Sequence, residues 1–265
     1  MISAITFIYW PEEVQVLENC LKSLSFCKEI IVIDNGAPPE VFNIAKKYTD
    51  KIYKSGDQSF AARHNLGKEK ATGDWLLYVD SDERISKKLA QEITNIKGDL
   101  SAYKLLRINY FLGKEVKFGE NVPEYVTRLF QKDKLLEWAG DIHESSKVQG
   151  EVGKLDGPLY HLTHRDIFSM VAKTINFSER EADLRLKVDH PSIVWWRLVR
   201  VILTELFNRL VKMQGFRQGT EGWIDGLLQS FSLFIVYARL WEKQQKTPLS
   251  QKYKELDEKI LSGLI

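Results

Sequence analysis

Residues 74–85 read DWLLYVDSDERI, an apolar run from Trp75 to Val79 that meets three acids, Asp80, Asp82 and Glu83. An apolar run of this length reads as a strand buried on both faces. Carboxylates buried at its end without partners are costly. The acids are therefore expected at the mouth of a sheet, opposite something positive. Two carboxylates on one tight turn repel each other unless a cation lies beside them. Hard oxygen ligands of this kind suit Mg²⁺ or Mn²⁺, which in turn hold phosphate oxygens. A diphosphate leaving group needs such neutralisation when its bond to a sugar breaks. The plain alternative is a turn with a helix cap, since Asp and Ser form turns and SDERISKKL can begin a helix.

The elements that must position this turn follow from hydrophobic period. Residues 2–9 read as a strand, 12–25 as a helix with Val14, Leu17, Leu21 and Leu24 in phase, and 29–36 (EIIVIDNG) as a β-branched strand closing on a turn. A short helix over 39–49, a short strand in KIYKSG, and a helix over 59–72 capped by Ser59 precede the strand at 75–79. This β-α-β-α order predicts a mostly parallel sheet with helices on both faces. Ligands of such sheets bind outside the carboxyl ends of the strands, where Asp34 and Asp80 both fall. After residue 98, SAYKLLRINYFLG, VTRLFQK and SKVQGEV read as strands, and the helical period returns near 167.

The chain has 265 residues, 44% apolar and 28% charged, with a formal net charge of +2. It is long enough for a sizeable core, and its charge gives no argument for nucleic-acid binding. Cys20 and Cys27 lie in apolar patterns and read as buried thiols. MISAITFIYW lacks a basic region and a cleavage site. No uncharged apolar stretch reaches the ~18 residues that span a bilayer. A cytoplasmic protein is expected.

Four segments in order carry a resemblance: EEVQVLENCLKSL, EIIVIDNGAPPE, AARHNLGKEKATGDWLLYVDSDE and DIHE. Together they resemble the family 2 glycosyltransferases, whose A-R-N-x-G, A-x-G-D-W, strand and D-x-D pattern matches the third segment. The downstream HE, YHLTHRD, GFRQGTEGW and YARLWE segments are similar to the lipopolysaccharide-core β-glucosyltransferases of that family. The resemblance implies a GT-A nucleotide-diphospho-sugar transferase fold over residues 1–165, with a C-terminal helical region over 166–265. It implies an inverting, metal-dependent transfer from a nucleotide-diphospho-sugar, UDP-linked, to a glycan or lipid-linked acceptor, with Mg²⁺ or Mn²⁺ as cofactor.

The same resemblance assigns roles. Asp34 would read the base, the competing reading being an Asx turn in DNGA. Glu13 would lie near the ribose, with Glu12 as its competitor. Arg63 and Asn65 match the family's R-N pair near the diphosphate, with His64 inserted between them. Asp80 would touch ribose or metal, Asp82 would ligate the metal, and His161 would be a further metal or diphosphate contact. The general base would be Glu144 or Asp141.

The tail has its own pattern. SIVWWRLVRVILTELFNRLVKM puts Arg197, Arg200, Thr204, Asn208 and Lys212 on one stripe of an otherwise apolar helix. A second helix carries Trp223, Leu227, Phe231 and Ile235, and the intervening QGFRQGTEG permits a tight course. The pair either packs on the catalytic domain or a second copy, or lies in the membrane surface at the inner face of the cytoplasmic membrane. Two other functions fit less of the chain. A sugar nucleotidyltransferase wants a glycine-rich basic loop after the first strand, where YWPEEVQ has neither. A non-catalytic glycan- or partner-binding protein is expected to lose the acids that this chain keeps.

Overall fold

The structure is a computed structural model of the chain and describes residues 1–56, 59–96, 100–119, 122–140 and 145–264. It divides into two compact units, residues 1–110 with 123–163, and residues 111–122 with 164–265.

In the first unit, β1 (Ile2–Ile8), α1 (Leu17–Ser23), β2 (Glu29–Asp34), α2 (Pro39–Lys46), β3 (Ile52–Lys54), α3 (Phe60–Lys70) and β4 (Trp75–Tyr78) alternate as the period predicts. There follow β5 (Glu83–Ile85), α4 (Lys87–Thr94) and β6 (Ala102–Phe111), the last reaching one residue into the other unit. A two-residue strand, β7 (Lys114–Glu115), lies in the second unit. The first unit resumes with β8 (Glu124–Gln131), β9 (Leu135–Ala139), β10 (Ser145–Val148) and β11 (Val152–His161). The main sheet runs β3-β2-β1-β4-β8-β6-β11-β5, while β9 and β10 form a separate antiparallel pair. β1 pairs in parallel with β2 and β4, and β11 in parallel with β6, whereas β8 is antiparallel to both neighbours and β5 to β11.

The central strands are buried on both faces: Ala4, Ile5, Ile8, Ile31, Val32, Ile33, Leu76, Leu77 and Tyr78 are inaccessible to solvent. Helix α3 lies close on β1 because residue 67 is glycine; a Cβ there would stand 2.5 Å from Ile5 Cγ2. Serine caps begin two helices: Ser59 Oγ accepts from Ala62 N at 3.4 Å, and Ser86 Oγ from Leu89 N at 3.1 Å.

Three expectations need correction. Residues 12–25 are not one helix: a 3-10 turn over Pro11–Gln15, with Pro at its start, leads into the shorter α1. The helix after the acidic turn begins only at Lys87. Glu83–Ile85 is drawn into the sheet by antiparallel pairing with Leu159–His161. Finally, SKVQGEV is not one strand: β10 ends at Val148 and β11 begins at Val152, with Gly150 between them at φ +122°.

The second unit holds α5 (Ile167–Lys187), α6 (Trp195–Phe207), a π turn over Asn208–Lys212, a 3-10 turn over Gly215–Gln218, α7 (Thr220–Lys243) and α8 (Leu249–Leu261). Helix α7 packs on both α5 and α6. Its buried glycines, Gly222 and Gly226, face the two short turns, where a Cβ at Gly222 would come 2.0 Å from Gly215 O. A Cβ at Gly226 would come 2.9 Å from Leu210 Cδ2. Among the described residues, no helix is long and apolar enough to cross a membrane.

Candidate active site

The sheet reverses its order of growth at β1. The chain steps from β1 to β2 and β3 on one side, then returns to place β4 on the other. Such a switch point opens a crevice at the carboxyl ends of the strands. Tyr9–Glu13 follow β1 there, Asp34 ends β2, and Asp80–Asp82 follow β4. Because β8 is antiparallel to both β4 and β6, β6 and β11 run in the same sense as β4. Asn109 and His161, in register near the ends of β6 and β11, therefore reach the same edge.

At this edge Asp82 and His161 face each other, Oδ2 to Nε2 at 3.4 Å. The other imidazole nitrogen, Nδ1, lies 2.7 Å from Asn109 Oδ1. Asn109 Nδ2 donates to Glu124 Oε2 at 2.7 Å, and Glu124 is gripped by two nitrogens of Arg107 at 2.6 and 2.8 Å. The chain Arg107–Glu124–Asn109–His161 thus leads to Asp82. Burial works against the imidazolium of His161, but the carboxylates of Asp82 and Glu83 together raise its pKa.

Beneath this chain lies a second ionic cluster. Glu83 is fully buried, with Arg128 at 3.3 Å and Arg107 at 3.4 Å from its Oε1, and its Oε2 accepts from Asp80 N at 3.0 Å. Arg128 also pairs with the Asp80 carboxylate. Burial, first, and the neighbouring Asp80 push the Glu83 pKa up. The three acids of the turn therefore have different environments: Asp80 is held by Arg128, Glu83 is sealed between two arginines, and Asp82 meets His161.

The other predicted residues are placed as follows. Glu13 turns inward: its carboxylate accepts from Tyr9 N at 2.6 Å, Trp10 N at 3.1 Å and Ser81 Oγ at 3.1 Å. It thereby ties the loop after β1 to the acidic turn, and burial raises its pKa to about 7. Asp34 is buried and forms the Asx turn, Oδ1 accepting from Gly36 N at 3.0 Å and Ala37 N at 2.8 Å. The buried guanidinium of Arg63 lies 5.4 Å from the Tyr9 ring centroid and 4.9 Å from that of Phe60. Asn65, beside Arg63 on α3, also serves as a structural clamp. Its amide exchanges two 2.9 Å hydrogen bonds with the backbone of Trp138, holding α3 to β9. Inserted His64 joins the core, its Nδ1 2.8 Å from Phe60 O and its ring against Phe7, Tyr78 and Trp138. Burial lowers its pKa to about 4, so it stays neutral. Asp141 and Glu144 lie outside the described residues.

Sequence reasoning missed Arg107, Asn109, Glu124 and Arg128. The signal was present in LLRINYF and VTRLF, where polar residues interrupt otherwise apolar strands. Arg107 and Asn109, two apart, share one face of β6.

The residues fit a divalent cation. Among the described residues, no three His, Cys, Asp or Glu side chains converge into a complete metal cage. An Mg²⁺ or Mn²⁺ that carries substrate phosphates needs only one or two protein ligands. Two neighbouring ligands of an octahedral ion stand about 3 Å apart, close to the separation of Asp82 and His161. The Asn109 amide at Nδ1 is the outer-shell partner that a metal-bound imidazole requires.

The lipopolysaccharide core biosynthesis glycosyltransferase LpsC of Rhizobium meliloti is 24% identical over 254 residues, covering 89% of this chain and 91% of that protein. An uncharacterized glycosyltransferase of Rickettsia typhi is 23% identical, covering 91% and 88% respectively. Among solved structures, a fragment of S. aureus TarS in complex with UDP-GlcNAc is similar over 91% of this chain and 84% of its own, with a TM-score of 0.46 and 16% identity. The family model described as glycosyl transferase family 2 matches residues 8–144, half of the chain. With its mixed, mostly parallel sheet of GT-A type and its C-terminal helices, the chain belongs to the family 2 glycosyltransferases.

Proposed function

We propose that the protein is a metal-dependent, inverting glycosyltransferase that moves a sugar from a UDP-linked donor to a hydroxyl of a glycan or lipid-linked saccharide, in the assembly of lipopolysaccharide or a related surface polysaccharide. The observation that carries this reading is the pairing of Asp82 with His161 at the switch-point crevice, held from behind by Asn109, Glu124 and Arg107. The low-identity likeness to a lipopolysaccharide core enzyme, extending over most of both chains, supports the acceptor class.

Asp82 and His161 would hold Mg²⁺ or Mn²⁺, which when bound supplies positive charge to the diphosphate of the donor. Asp80, anchored by Arg128, fixes the turn so that Asp82 is presented at the edge. Arg63 has the charge and planar fork to meet diphosphate oxygens. Asp34 and Glu13 border the nucleoside end of the crevice. Inversion requires a base on the face opposite the leaving group, and Glu144 or Asp141 takes the proton from the acceptor hydroxyl. Positioning of the acceptor against the anomeric carbon carries much of the rate. The C-terminal helices meet a membrane surface or a second copy.

Calorimetric titration with UDP tests this, in the presence and absence of Mn²⁺, for the native chain and for Asp82→Ala. Metal-dependent binding that disappears in the variant is the expected result. Tight binding indifferent to both would refute the assignment of Asp82.

A further inference from the structure

The second unit buries little of its apolar surface. Its principal core is small, formed by Ala182, Ile193 and Leu240 with Leu198 and Tyr237 against them. Helix α6 buries Val201 but leaves Trp195 (78% exposed), Leu203 (60%) and Phe207 (59%), together with Trp196 and Val199, open to solvent. At ~100° per residue these five fall within an arc of roughly 120°. Val211, in the π turn, and Phe216, in the 3-10 turn, are also exposed. The exposed apolar area of α6 with Val211 is on the order of 600 Å², at the upper end of what a monomer shows.

The charge around this face is one-sided. Residues 192–220 contain Arg197, Arg200, Arg209, Lys212 and Arg217 against a single acid, Glu205, an excess of four positive charges (five less one). Glu205 already accepts from Arg209 Nε at 2.7 Å. Arg197 and Arg200 follow one edge of the apolar arc. Their guanidinium carbons lie 5.1 and 5.5 Å from the Trp196 ring centroid, so their stems run along apolar surface while their charge stays at its rim. Arg217 likewise lies over Phe118, at 4.4 Å.

We propose that this face docks on an anionic lipid surface, α6 lying in the plane of the headgroups with Trp195, Leu203 and Phe207 in the acyl boundary and Arg197 and Arg200 at the phosphates. An apolar arc with aromatic residues and a basic rim is the pattern of an interfacial helix. Thirteen residues of helix are about 20 Å long, too short to span a bilayer and suited to lying on it. A symmetric second copy fits less well, because a two-fold contact would bring two copies of the same positively charged segment together with no added acid to offset them. The inference names a partner for the proposed transferase but does not depend on which donor it uses.

The test is co-sedimentation of the full chain with vesicles of phosphatidylcholine alone and with about one third phosphatidylglycerol, at low and high salt. The expected result is binding to the anionic vesicles that weakens with salt and is nearly absent on phosphatidylcholine. The double variant R197Q/R200Q should bind about 30-fold more weakly, at roughly fivefold per arginine. The variant W195S/L203S should lose binding while keeping its melting temperature and its UDP titration. Brominated acyl chains should quench native tryptophan fluorescence, and less of it in Trp195→Phe. No binding to anionic vesicles at low salt overturns the proposal. So does a dimer in sedimentation equilibrium that W195S/L203S dissociates while vesicle binding is absent, which assigns the face to a second copy. A lost UDP titration in the native chain, with vesicle binding intact, would refute the donor reading alone.

Discussion

Replacing Arg128 with Met removes the cation shared by Asp80 and Glu83 and leaves a side chain of similar length. Glu83 is fully buried, so its carboxylate has no water to fall back on and keeps Arg107 at 3.4 Å and the Asp80 amide at 3.0 Å as close partners. Breaking a buried ion pair by removing one partner costs about 3–5 kcal/mol, because an undercompensated charge stays behind. For a unit of this size that corresponds to a fall in melting temperature of roughly 6–20 °C. Removing the stranded charge as well, in R128M/E83Q, should recover a large part of the loss, since the two positions are directly coupled. The sign with pH follows from the Glu83 pKa, already raised by burial and nearby Asp80. With Arg128 gone it rises further. A raised carboxylate pKa favours folding below the unfolded value and loses that advantage as pH climbs through the folded one. The R128M penalty should therefore shrink toward acid and grow toward neutral pH. Thermal melts of the native chain, both single variants and the double variant, at pH 5 and pH 8, measure all of this. A loss in R128M below about 0.5 kcal/mol, or a double variant no more stable than R128M, would refute the reasoning.

Other expectations concern neighbouring residues. Glu13, with its pKa raised by burial to about 7, favours folding below its unfolded value near 4.5 and gives up about 3 kcal/mol as pH rises through 7. Glu13→Gln should flatten that slope between pH 4.5 and 7, as read by melting temperature against pH; an unchanged slope sinks the assignment. Asn109→Leu should weaken Mn²⁺ binding about 10–100-fold, measured by paramagnetic titration without nucleotide. Asn109→Asp keeps the acceptor toward His161 Nδ1 but loses the donor to Glu124 and should recover only part of it, and equal losses in both variants would argue for a general packing effect. Gly67→Ala forces a methyl group against Ile5 and should cost about 1–3 kcal/mol by overpacking; a melt within error of native would show that α3 can lift from the strand.

The sequence by itself determined the order of strands and helices in the first hundred residues, the position of the acidic turn at a strand end, and the family. These are local properties. Apolar period, serine caps and the D-x-D spacing are each written within a dozen residues. What the acids do was decided only in three dimensions. Glu83 reads locally as the first charge of a helix, yet antiparallel pairing with His161 makes it a strand residue sealed between Arg107 and Arg128. Arg128 stands 48 residues from Asp80, and Asn109 stands 52 residues from His161. No local pattern links such pairs, because they meet through the register of β8 with β4 and of β11 with β6. Asn65 shows the same limit from the other side. Its place in the R-N motif gives no sign that its amide bonds the backbone of Trp138, 73 residues away. The sequence named the acids and the histidine; packing selected the cations that hold them and set Asp82 against the histidine.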